Sequence, residues 1–150
     1  MFAAGGGADG NVLRKRTVDL EGAIKSLEAC AEVGVRRYVQ ISAIGVDAKV
    51  GLDESAAWAS YVVAKRDSDE AVRASGLDWT ILRPAQLLDS PGTDAVTLGE
   101  GLEPAPVTRD DVAATVAAVL AEPRAAGHQW DLVGGSTGVE AAVAQAVGQG

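Results

Sequence analysis

The sequence predicts an α/β fold, parallel strands covered on both faces by helices, and two observations carry that prediction. A unit of helix, glycine and short apolar strand occurs twice, over residues 17–42 and 57–84, and such alternation supplies crossover helices long enough to span a sheet. The strands in it are largely apolar, as strands buried on both faces are.

Each element follows from its own residues. The chain opens Met1-Phe2-Ala3-Ala4 and breaks into Gly5-Gly6-Gly7-Ala8-Asp9-Gly10, the end of a strand running into a loop. Arg14-Lys15-Arg16 reads as a solvated basic run just ahead of a helix. Over 17–33, Leu20, Ala23, Ile24, Leu27, Cys30 and Ala31 recur at helical spacing, and Gly34 supplies the left-handed residue that ends such a helix. Residues 35–42 crowd β-branched and aromatic side chains into a strand. A second helix runs from about Ala57 to Ser75 and is closed by Gly76; the strand 77–82 follows and Arg83-Pro84 ends it.

Residues 86–107 are rich in Pro, Gly and Asp and read as one long connection, either wrapped around a substrate site or loose on the surface. Thr108 caps a helix carrying Val112, Val116, Val119 and Leu120, with Asp110 and Asp111 in the first turn where the helix dipole favours negative charge, and Pro123 stops it. Residues 129–133 form a last short strand. Thr137 with Glu140 has the pattern of a capping box opening an alanine-rich helix, and the tail 148–150 frays.

The composition bounds the function. At 150 residues the chain suits a single domain, and 47% apolar with 23% charged residues suits a globular one. A formal charge of −8 argues against nucleic acid, because phosphate contacts need clustered Lys and Arg. No apolar run approaches the roughly 20 residues of a membrane span, and no signal-peptide pattern opens the chain. Cys30 is the sole cysteine, so no internal disulfide forms, and its place in an apolar stripe makes it a small buried hydrophobe. A cytoplasmic setting fits.

Tyr61 and Lys65 are the most informative pair. Four residues apart on a helix they share a face. A phenol, with an ordinary pKa of about 10, is a poor acid/base at neutral pH until a nearby cation stabilises its anion. The pair lies between two predicted strands, Ser42 ends the first, and open α/β sheets bind ligands outside the carboxyl ends of their strands. The plain alternative is a half-buried tyrosine beside a solvated lysine. Two readings also stand for Ser42, which can serve a substrate or only the backbone at a strand end. Asp19 is a site residue or a first-turn acid, and Arg83 a site residue or a solvated cation. His128 reads as surface, and Trp58, Trp79 and Trp130 as packing residues.

Three segments carry a resemblance. Asp19, Gly22 and Ala31-Glu32-Val33-Gly34-Val35-Arg36-Arg37-Tyr38-Val39-Gln40-Ile41-Ser42 are the first, and Ala64-Lys65-Arg66-Asp67-Ser68-Asp69-Glu70 with Gly76-Leu77-Asp78-Trp79-Thr80-Ile81-Leu82-Arg83-Pro84 the second. Thr108-Arg109-Asp110-Asp111-Val112-Ala113 is the third. They resemble the atypical short-chain dehydrogenases, the NmrA-like and epimerase-like branch of the NAD(P)-binding Rossmann superfamily. The resemblance implies the C-terminal half of a Rossmann-type parallel sheet with flanking helices, one partial domain over 1–150. It implies NADP or NAD as cofactor, a small-molecule substrate, and oxidoreductase or epimerase chemistry, the other outcomes being a non-catalytic dinucleotide sensor or scaffold, or an inactive fragment. Carried over residue by residue, Tyr61 is the acid/base and Lys65 lowers its pKa and holds the nicotinamide ribose. Ser42 hydrogen-bonds the substrate carbonyl or hydroxyl, and Asp19 stands where the branch tends to have Asp. Ala4, Gly5 and Pro84 border the cofactor. No metal is implied.

Gly5, Gly7 and Gly10 satisfy G-x-G-x-x-G, yet only four residues precede them and no acid ends a following strand, so they do not read as the pyrophosphate turn. The resemblance places residues 2–5 at the end of the fourth strand. The expectation is then a chain without the first three strands, a fragment or a misassigned start, with weak or no NAD(P) binding of its own, and with self-association through an exposed edge strand or poor solubility.

Overall fold

The computed structural model describes residues 1–7, 10–49, 51 and 53–149. In chain order the elements are α1 (Val12–Arg14), a π-helical stretch (Lys15–Leu20), α2 (Glu21–Val33), β1 (Arg37–Ile41), α3 (Ala56–Ala74), β2 (Asp78–Pro84) and β3 (Leu87–Leu88). They continue with β4 (Ala95–Gly99), β5 (Val107–Thr108), α4 (Arg109–Ala121), a 3-10 turn (Pro123–Ala125), β6 (His128–Gly134), β7 (Thr137–Gly138) and α5 (Val139–Gly148).

The main sheet has the order β1-β2-β6-β4-β7. β1 pairs β2 and β2 pairs β6 in parallel, so the three strands expected from the sequence are the three that run together. On the other side of β1, Phe2 makes one parallel bridge to Gln40; its N–H donates to the Val39 carbonyl at 2.8 Å and its carbonyl accepts from Ile41 N–H at 3.0 Å. The class is α/β, a mostly parallel sheet between two helical layers.

Period-two alternation divides the core. Tyr38 and Ile81 face α2 and α3, where they meet Leu27 and Val72. Val39 and Leu82 face the opposite layer, where α4 and α5 contribute Val116, Val119, Val139, Ala142 and Val143. Completely burying a side chain such as Ile81 stabilises the fold by about 1.5–3 kcal/mol, so each layer is anchored by a few such residues. By the same parity Gln40, Ser42 and Arg83 fall on the α3 side, which brings polar groups of two strands against one helix.

Five expectations are corrected. The first helix begins at Val12, with the Asn11 side chain accepting the Arg14 N–H as its cap, and so it includes Arg14-Lys15-Arg16; Lys15 is buried at 7% exposure. Residues 86–107 hold β3, β4 and β5, and β4 pairs antiparallel with both β6 and β7. Its buried Val96 and Leu98 flank exposed Thr97, an alternation too short to stand out among the surrounding glycines and prolines. Gly135 fits only as glycine there, because a Cβ would meet Thr97 Oγ1 at 2.3 Å. Thr137 is no capping residue: it pairs with Val96, and Gly138 takes the cap position without a side-chain bond. β2 runs on through Arg83 and Pro84. In the fraying tail, Gly148 still belongs to α5, and Gly150, like Ala8 and Asp9 of the glycine-rich run, lies outside the described residues.

Among the described residues no helix is long and apolar enough to cross a membrane, and no group of three His, Cys, Asp or Glu is placed to hold a metal. Cys30 is half-buried against Leu27 and Tyr38.

Candidate functional site

Beyond the carboxyl ends of β1 and β2 lies a pocket of about 610 Å³. Asp19, Ser42, Tyr61 and Lys65 line it, and so do Ala4, Gly5 and Pro84. These seven residues border one cavity, at the sheet edge where α/β proteins bind ligands, while Arg83 lies outside its lining.

Three elements build its polar floor. Lys65 reaches from α3 to the end of β1, where its ammonium donates to the Ile41 carbonyl at 3.0 Å and stands 3.5 Å from Asp19 Oδ1. Asp19 Oδ2 accepts the Gly6 N–H at 2.9 Å, while Oδ1 has no hydrogen-bond partner among the described residues. Residue 6 has to be glycine for this approach, since a Cβ would come within 2.9 Å of the Arg14 carbonyl. The Gly6 amide is spent on Asp19 and the Gly7 carbonyl accepts from Lys15. This is a loop stapled to a helix, in keeping with the rejection of the pyrophosphate turn.

Tyr61 stands one turn before Lys65. Its phenol is pushed up to about 12, first by burial and then by the negative charges of Asp19 and Asp69. The expected lowering by Lys65 is absent from this arrangement because the ammonium is turned toward the Ile41 carbonyl and Asp19. Burial lowers the pKa of Lys65, with Asp19 working against it. A second cation stands over the ring: the Lys15 ammonium lies 5.5 Å from the Tyr61 centroid, and the Trp58 ring, on the same helix as Tyr61, sits 5.5 Å away.

Ser42 borders the pocket, but its hydroxyl donates to Asp69 Oδ2 at 2.8 Å. A hydroxyl has one proton, so Ser42 offers a ligand lone pairs and no donor. Asp69 Oδ2 also receives Arg83 Nη2 at 2.8 Å and Nε at 3.0 Å. Arg83 then forks onto Asp47 at 2.5 and 3.1 Å. Burial pushes the Asp69 carboxyl up and Arg83 and Ser42 oppose it, whereas Arg83 holds the Asp47 carboxyl below its usual value. Arg83 is thus a buried member of the network, not a solvated cation.

Sequence reasoning missed Lys15, Trp58 and Asp69. All three were signalled by spacing: residues 58, 61, 65 and 69 follow one face of α3, and 15, 19, 23 and 27 continue one buried stripe of the first helix. His128, expected at the surface, is half-buried and stacks on Trp130 at 4.8 Å.

Comparison with known proteins gives the family and the fold. Residues 1–123 match the NAD(P)H-binding family. The uncharacterized sugar epimerase YhfK of Bacillus subtilis is 38% identical over 143 residues, covering 95% of this chain and 66% of the relative. The UPF0659 protein YMR090W of Saccharomyces cerevisiae is 36% identical over 130 residues, covering 83% and 57%. The chain therefore spans about two thirds of the length of these relatives, or somewhat less. A solved candidate NAD-dependent epimerase/dehydratase from Bacillus halodurans superposes with a TM-score of 0.87 at 29% identity, over 96% of this chain and 67% of that one. The oxidoreductase YlbE of Lactococcus lactis gives 0.79 at 25% identity, over 93% and 64%.

Proposed function

This chain belongs to the NAD(P)H-binding family, and from that premise we propose that it carries the catalytic residues of an NAD(P)-dependent oxidoreductase or epimerase of the atypical short-chain dehydrogenase branch, acting on a small molecule in the cytoplasm. One observation carries the reading: Tyr61, Lys65 and Asp19 meet the Gly5 turn and Pro84 around a single pocket at the carboxyl edge of parallel strands. The residues present suit the nicotinamide-ribose end of such a cofactor. The Lys65 ammonium has donors beyond the one on Ile41, and Asp19 Oδ1 is a buried acceptor with no hydrogen-bond partner, a set able to hold ribose hydroxyls. Pro84 and Ala85 supply an apolar wall.

A nicotinamide held there supplies hydride transfer; the protein's own part is proton handling and orientation. With its pKa pushed up to about 12, the Tyr61 phenol keeps its proton at neutral pH and can donate it to a carbonyl oxygen. Taking a proton back requires the tyrosinate to be stabilised, and Lys15, 5.5 Å from the ring centroid, is the cation placed for it. Ser42, its proton committed to Asp69, accepts a hydrogen bond from a substrate hydroxyl.

A second reading, a non-catalytic NmrA-like sensor or scaffold, is favoured by one observation: the phenol lies far above the range useful for proton abstraction near neutral pH. Calorimetric titration with NADPH and NADP, then NADPH consumption against a panel of aldehydes and ketones, separates the two. The catalytic reading expects turnover that falls at least about 100-fold in Tyr61→Phe with cofactor affinity retained. Cofactor binding without turnover in either protein favours the sensor, and no binding of NADPH or NADP leaves the inactive-fragment reading.

A further inference from the structure

Adjoining the pocket is a second hollow of about 460 Å³, bordered by Gly7, Gly10, Lys15, Ser55, Trp58 and Tyr61. It shares Lys15, Trp58 and Tyr61 with the first, so Tyr61 borders both. Three features of its wall point one way. Trp58 keeps 48% of its surface exposed while its ring lies beside Tyr61, whereas Trp130 is packed away at 3%. Lys15 has its stem buried, and its ammonium carries three donors, of which the Gly7 carbonyl engages one. The first turn of α3, capped by Ser55 and free of acidic side chains, turns the positive end of a 19-residue helix toward the same space. In a chain of net charge −8, such a cationic recess beside an open indole face is a local exception.

We propose that this hollow is a substrate subsite for a ring bearing an anionic substituent, a phosphate or carboxylate, with the ring on the Trp58 face and the anion between Lys15 and the first turn of α3. An indole offers its face to any flat or ring-shaped body, and a buried-stem lysine acts on an anion as a point charge. A ligand held by both places its ring next to the Tyr61 phenol. The inference rests on the reading that Tyr61 faces a substrate, and it adds the chemical class of that substrate.

Glucose 1-phosphate, phenyl phosphate and inorganic phosphate, each titrated with and without saturating NADP, test it through tryptophan emission and saturation-transfer NMR. At least one ring phosphate is expected to quench the emission, and Trp58→Phe to abolish the quench. Lys15→Met is expected to weaken binding about tenfold or more, and Lys15→Arg to restore it, which separates lost charge from lost packing. Preference for glucose 1-phosphate identifies a saccharide substrate and preference for phenyl phosphate an aromatic one. Inorganic phosphate binding as tightly as either, no response to any ring phosphate, or unchanged binding by a folded Lys15→Met overturns the subsite. NADP binding retained while the ring phosphates fail counts against this inference alone; ring phosphates binding while NADP fails counts against the cofactor reading and leaves the subsite supported.

Discussion

Asp69 and Asp111 are buried aspartates on helices packed against opposite faces of the sheet, and they are held in opposite ways. Asp111 fills both oxygens: Oδ1 accepts the Thr93 and Asp94 amides at 2.9 and 2.8 Å, and Oδ2 the Thr93 hydroxyl at 2.9 Å. Burial works against its charge, yet the hydrogen bonds from Thr108, Thr93 and Asp94 leave its pKa below the ordinary value. Asp69 crowds Ser42 and Arg83 onto Oδ2 and leaves Oδ1 without a partner, and burial pushes its pKa up. The first is a finished joint that fastens the segment before β4 onto α4. The second, beside the pocket, is incompletely satisfied, the condition in which buried polar groups cost stability and persist for other reasons.

The harshest way to break the contrast is Arg83→Met, which strands the Asp69 carboxylate at 0% exposure. A loss of about 3–5 kcal/mol is expected in urea unfolding, the cost of removing one partner of a buried pair. A loss under about 1 kcal/mol would mean that Asp69 is already neutral and needs no partner. Asp111→Ala comes next at about 2–3 kcal/mol, with the Thr93 and Asp94 amides losing hydrogen-exchange protection. Protection that survives the substitution would show the joint to be held by something else.

Acidification sharpens the comparison because the two signs differ. The folded pKa of Asp111 is depressed, so its contribution is complete above the ordinary aspartate value and disappears as pH falls through the folded value. That of Asp69 is raised, so its contribution is complete below the ordinary value and is lost as pH rises through the folded one. Urea midpoints taken from about pH 7 to about pH 3 should show wild type losing its advantage over Asp111→Asn and gaining relative to Asp69→Asn. Parallel curves for the two variants would erase the distinction.

Tyr61→Phe should have the smallest effect on stability, within about 0.5 kcal/mol, because the phenol oxygen makes none of the hydrogen bonds that tie the site together. The same residue offers a direct reading of the site's electrostatics: the chain has two tyrosines, and in Tyr38→Phe a Cζ-labelled Tyr61 should titrate at about 12 by NMR. A midpoint at or below the usual phenol value would mean that Lys65 or Lys15 already governs it.

The parallel strands and their covering helices were legible because helix, glycine and strand repeat with strong apolar periodicity, and Gly34 does end α2 in the left-handed conformation. β4 was hidden because only Val96 and Leu98 mark it, and its partner β7 is two residues long. The candidate residues were picked by a spacing of four and by a family likeness, and they line one pocket. What could not be read was which way each donor points. A serine at a strand end looks the same in sequence whether its proton faces a ligand or, as here, a carboxylate on the neighbouring helix. Lys15 was obscured by its flanking arginines, which made an inward lysine look like part of a solvated run.

The π-helical stretch has a consequence for any length change in the chain. Lys15 and Asp19 both point inward from this stretch, ahead of an ordinary α-helix that supplies the buried stripe of Ala23 and Leu27. Deleting one residue between them, with the helical geometry of the rest unchanged, would swing everything upstream around the helix axis by about 100°. The cation over the aromatic ring and the glycine loop stapled to the helix would then leave the cavity while the downstream packing survived, so this wall is indexed by residue count as strictly as by residue identity.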